Sequence, residues 1–346
     1  MAAPIGINVD QYRTQAKELL SDARLSRPEA MTRFKEHHPE RSTGTAFARV
    51  KLADAQLVIA RENGFASWPR FVEYLHFRNA VAALDAGDLP RLEALIDAHP
   101  SLLRYACRVG EWYEQGYFAG ATLLWHIAGN PIRGPLPRNI LAIARVLVDR
   151  HFTGEDARNT IGLLLTSKQA SEAGVALPMI DLLTRSGARF DLDAPDALDA
   201  PLLNHAPDTA EALVHRGATP QLRHSAALGD VVAMRRMLGE PVDQTTLDDA
   251  LVFACIRGQR DAAALLVARG ANGGVLLTPG GQTPRTALHE AANRGYAEIV
   301  ELLIAAGASA LVVEPRWNGT AAGWAQAGGF TALAERLCEL GQSGRQ

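Results

Sequence analysis

Chemistry in this chain would gather at Glu111-Trp112-Tyr113-Glu114-Gln115-Gly116-Tyr117-Phe118 and, a few residues on, at Trp125-His126. Trp112, Tyr113, Tyr117 and Phe118 place four aromatics in seven residues of a chain that is 6% aromatic, so the stretch departs from the pattern around it. Such rings would line a pocket, with Glu111, Tyr113 or His126 available for proton transfer. The other reading is structural: the rings pack over a gap left by an insertion at Asn130 to Arg138, which Pro131, Pro135 and Pro137 keep from being helical. A lone histidine beside a tryptophan is then part of the core.

Other reactive residue types do not form sites. His37-His38-Pro39-Glu40 offers adjacent histidines, which point to different sides of a helix, and no third ligand stands at useful spacing, so a helix end is expected there rather than a metal. Cys107, Cys255 and Cys338 are far apart and in apolar contexts, as buried thiols are. No phosphate-loop motif, paired Cys-x-x-Cys, Gly-x-Ser-x-Gly elbow or His-Glu-x-x-His occurs, and no cofactor is expected.

The elements that would position these residues are helices. The chain has 346 residues, 47% apolar and 21% charged, with a formal net charge of −3, which points to neither nucleic acid nor membrane. Met1 to Leu20 has no apolar core, and no run approaches the roughly 18 apolar residues that span a bilayer, so a cytoplasmic protein is expected. The clearest unit is Thr286 to Ser309. Thr286 caps a short helix, Ala291 and Ala292 admit a close neighbour, Gly295 ends the helix, and Ile299, Val300, Leu302, Leu303 and Ile304 give a second helix its apolar stripe. Such a pair needs stacked neighbours to bury that stripe.

Thr286-Ala-Leu-His-Glu-Ala-Ala resembles the opening signature of an ankyrin repeat, with Ala287 at the usual proline. Weaker helix pairs punctuated by glycine recur from Phe77 onward, among them one at Gly120-Ala-Thr-Leu-Leu-Trp-His-Ile-Ala, where Trp125 holds the place of His289. Upstream, Leu52 to Leu75 is similar to a helical module that precedes such arrays in bacterial ankyrin-repeat proteins. The resemblance implies an all-α ankyrin-repeat solenoid of about eight helix-pair repeats over residues 78–346, covered by an N-terminal helical module at 1–77. In this family His289 supports a turn by hydrogen bonds.

Partners of ankyrin proteins are usually bound by hairpin tips and by the ends of first helices on the concave side. The corresponding tips here are Phe118, Arg285, Arg316 and Trp317, and the helix ends are Asn130, Ile256, Arg257, Asn293 and Arg294. Four arginines at such places on a slightly acidic chain suggest an anionic partner, either an acidic protein surface or a small anionic ligand; the other reading gives them to solubility and to the helix dipole. The resemblance thus implies a cytoplasmic binding protein, with recognition spread over Trp112, Tyr117, Phe118, Trp125, Asn130, Arg257, Arg285, Asn293, Arg294, Arg316 and Trp317. The alternative is an enzyme or small-molecule binder that uses the aromatic insertion and the arginine-lined face as its pocket.

Overall fold

The computed structural model describes residues 8–39, 50–107, 120–129, 134–204 and 206–343. Among these the chain is mostly helical, and it divides into two compact units, residues 1–164 with 172–190 and residues 165–171 with 191–346.

The first unit opens with four helices, α1 (Val9–Arg24), α2 (Pro28–His37), α3 (Leu52–Glu62) and α4 (Trp68–Asp85). Asn8 caps α1 by accepting the Asp10 N–H, and prolines in the first turns of α2 and α4 start both helices where the missing N–H costs nothing. Phe34, Phe71, Phe77 and Ile59 are fully buried between them, and Arg33 of α2 grips Glu62 of α3 through two bonds of 2.6 Å. His38 follows the end of α2, buried against Asp54 at 3.4 Å. Helix α4 continues through Phe77, because Phe77, Ala80, Val81 and Leu84 extend its buried face.

Helices α5 (Leu89–Ala98), α6 (Ile140–Arg150), α7 (Gly154–Thr166), α8 (Lys168–Glu172) and α9 (Ala176–Arg185) come next in the chain, with 3-10 turns at Pro100–Leu103 and Leu124–Ala128; all but the last residue of α8 belong to the second unit. Cys107 pairs with Gly120 and Ala121 through backbone bonds (Cys107 N to Ala121 O 3.0 Å, Gly120 N to Cys107 O 2.7 Å).

The second unit contains α10 (Pro195–Leu203), α11 (Pro207–His215), α12 (Leu222–Leu228), α13 (Val231–Met237), α14 (Gln244–Arg257), α15 (Arg260–Ala268), α16 (Ala287–Asn293), α17 (Ala297–Ala305), α18 (Ala321–Ala327) and α19 (Thr331–Ser343). Consecutive helices pair, and first helices stack on first helices (α12 on α14, α14 on α16, α16 on α18). Helix α14 is covered along nine residues, from Leu247 to Ile256, because it has neighbours on both sides. The expectation of helices alone is corrected in one detail: strands β1 (Val313–Glu314) and β2 (Gly319–Thr320) pair as a small antiparallel hairpin, and Leu277 bridges Arg285 in the same manner.

A register rule joins successive pairs in this unit. The residue that opens each second helix lies over the left-handed glycine closing the preceding first helix: Gln259 over Gly229, Tyr296 over Gly258 and Phe330 over Gly295. A side chain at those glycines would occupy the next layer's contact. Cys107 and Cys255 are buried thiols as expected; Cys338 is exposed, on the outer face of the last helix.

Candidate binding surface

Helices α16 and α17 show how the signature residues build the surface. Thr286 Oγ1 accepts the His289 N–H at 3.2 Å and gives its own proton to His289 Nδ1 at 2.7 Å. Gly319 O can only accept, so Nε2 carries the ring proton and donates to it at 3.1 Å, tying the first helix to the following hairpin. Burial lowers the His289 pKa and keeps the ring neutral, which leaves it a structural role.

The arginines at the expected recognition positions differ from one another. Arg285 is buried and paired with Glu290, itself 3% exposed, and Arg294 donates Nε to the other oxygen of Glu290 at 3.0 Å. Arg285 also donates to Gln282 Oε1 at 2.7 Å. Two of the four cations are therefore engaged by one carboxylate under the surface. Arg316 is exposed at the hairpin tip, donating to Thr283 Oγ1 at 2.9 Å and lying 5.0 Å above the Trp317 ring, which is 63% exposed. That tip is built by Glu314: its buried carboxylate accepts the N–H groups of Arg316, Trp317 and Gly319 at 2.8, 2.8 and 3.2 Å. Burial alone would raise its pKa, but the three donors outweigh it and hold the carboxyl below its ordinary range.

Arg257 is the exception. It ends α14 half-buried, its Nε makes no hydrogen bond, and no carboxylate lies within ion-pair distance among the described residues. Burial, and then the neighbouring Arg294, lower its pKa, while Tyr296 and Asp208 act in the other direction. Asn293 is half-buried at the equivalent end of α16.

A buried ionic cluster that the spacing did not disclose lies deeper in the unit. Arg223 holds Asp199 through bonds of 2.8 and 3.1 Å, His224 Nε2 donates to the same carboxylate at 2.8 Å, and Asp249 stands 3.5 Å from Arg223. His224 repeats the His289 device, with Nδ1 accepting the Gln221 N–H, but its second nitrogen finds a side chain 25 residues back. Burial would raise the Asp199 pKa, yet His224 and Arg223 together lower it. No group of three side chains placed to hold a metal ion occurs among the described residues.

Of the residues expected around the aromatic insertion, Glu111, Trp112, Tyr113, Tyr117 and Phe118 lie outside the described residues, as does Asn130. His126 is fully buried; Nδ1 donates to Thr122 O at 2.7 Å and its ring meets Phe77 edge-on at 5.6 Å. Burial brings its pKa down to about 4, with the Thr122 carbonyl opposing and Arg78 adding to the effect. Trp125 is half-buried and, like Leu163, packs against Ala121.

Residues 222–314 match a family model of ankyrin repeats, in three copies, the kind of repeat through which proteins interact with one another. A search of curated proteins finds no match to the chain. Among the described residues no helix is long and apolar enough to cross a membrane.

Proposed function

We propose that the chain is a binding protein whose repeats, extended by divergent copies to about eight over residues 78–346 and covered by the helical module at 1–77, hold an acidic protein partner in the cytoplasm. The observation that carries the reading is Arg257. A half-buried guanidinium without an acceptor is costly unless something supplies one, and Arg donates from a rigid fork suited to carboxylates. Arg294 stands beside it, linked to Glu290, and the Arg316–Trp317 tip adds an exposed cation on an aromatic platform of the sort enriched in interface anchors.

The same reading assigns Arg285 to the support of the surface rather than to contact, since Glu290 pairs its charge and Thr283 O and Gln282 Oε1 accept from its terminal nitrogens. Selection of displayed peptides on the full chain tests it. Recovered ligands should be rich in Asp and Glu, and Arg257→Gln should weaken them about tenfold, the order expected for a lost charge-assisted bond. Neutral or basic ligands that bind Arg257→Gln undiminished would refute it.

A further inference from the structure

A groove of about 660 Å³ in the first unit is lined by Arg104, Thr122, Trp125, His151, Glu155 and Asp156 among others. Two of these side chains hold places that the repeat pattern satisfies elsewhere. In the later pairs the threonine opening the first helix accepts the N–H three residues on: Thr286 from His289 at 3.2 Å and Thr320 from Gly323 at 3.3 Å. Thr122 holds the same place and is 6% exposed, but the chain that follows is a 3-10 turn, and Thr122 Oγ1 makes no hydrogen bond. Trp125 stands where His289 donates to the next hairpin; its Nε1–H is buried and has no acceptor.

An indole N–H and a guanidinium only donate, so whatever meets Trp125 and Arg104 must accept. Arg104 is exposed and forms no ion pair among the described residues, which favours a negative acceptor. Glu155 and Asp156 line the same groove, and Asp156 already accepts the Thr153 hydroxyl at 2.7 Å; their charge disfavours a doubly charged phosphate and leaves a single carboxylate. We propose that this groove binds a carboxylate, whose oxygens take the Trp125 Nε1–H, the Thr122 hydroxyl and the Arg104 guanidinium. The proposal is independent of the partner surface on the second unit.

The test uses the full chain with ¹⁵N-labelled indoles, the Trp125 resonance being assigned through Trp125→Phe. N-acetylglycine, an acetylated tetraglycine with a free C-terminus, the same peptide as its C-terminal amide, and inorganic phosphate are titrated in turn. Saturable movement of the Trp125 Nε1–H by the carboxylates but not by the amide is expected, with Arg104→Gln weakening it about tenfold or more. Thr122→Val should weaken binding as well without lowering Tm, since the hydroxyl makes no bond in the fold. Tighter binding of the peptide identifies a chain terminus as the source, and equal or tighter binding of N-acetylglycine a free small acid. The proposal fails if the indole stays still at millimolar carboxylate, if the amide or phosphate binds as tightly, or if Arg104→Gln leaves the affinity unchanged.

Discussion

Replacing Gly258 by alanine probes the stacking register directly. Gly258 has φ +69°, and a Cβ there would come within 2.7 to 3.0 Å of three Tyr296 ring atoms. Two costs add. The left-handed conformation costs an alanine about 1 to 2 kcal/mol, and an overpacked contact that a rigid ring must yield to costs a further 1 to 3 kcal/mol or so. Gly281 supplies the control, because its φ is +70° and nothing lies within 4 Å of the Cβ position. Gly281→Ala should therefore lose only the conformational part, about 1 to 2 kcal/mol, and Gly258→Ala roughly 2 to 5 kcal/mol. Urea titrations followed by circular dichroism at unchanged m would give both values. In the background of Tyr296→Ala the steric part should vanish, leaving a coupling of about 1 to 3 kcal/mol between the two positions. Gly229→Ala should be milder than Gly258→Ala, since the 2.6 Å neighbour there is the end of the flexible Gln259 side chain. Equal losses at Gly258 and Gly281, or strict additivity with Tyr296→Ala, would refute the register argument.

Two further outcomes follow from buried charge and buried histidine. Glu290→Gln keeps the shape between Arg285 and Arg294 but leaves two cations without their carboxylate, so chemical denaturation should register a loss of roughly 3 to 5 kcal/mol; a change under about 1 kcal/mol would mean solvent reaches the pair. His126 is held neutral down to about pH 4, whereas the unfolded chain binds that proton near pH 6.5. The unfolded state thus carries more protons between these values, and stability should fall by about 3 kcal/mol as pH drops from 6.5 toward 4. His126→Gln should flatten that limb, and an imidazole that titrates near pH 6.5 in the folded chain would contradict the assignment.

The sequence by itself determined the local architecture of the second unit, because the signals that build it act over three or four residues. Thr286 caps the helix it was expected to cap, Gly295 closes it at φ +72°, and Ile299, Val300 and Leu303 fall on the buried face that their spacing implies. One arginine pairing is local as well, while tertiary structure decided the others. Arg257 and Arg294 hold the same place in their repeats, yet a carboxylate four residues back, Glu290, engages only the latter. Arg285 reads as a hairpin tip but is drawn under the surface by the same Glu290, and Glu314 shapes the Trp317 tip by gathering three backbone donors. Asp199 meets Arg223 and His224 across 24 and 25 residues of sequence, a distance at which no local pattern operates. The polar groups of Thr122 and Trp125 are left over for a related reason: the chain after Thr122 forms a 3-10 turn rather than a capped helix, and neither the hydroxyl nor the indole N–H has a hydrogen-bond partner there.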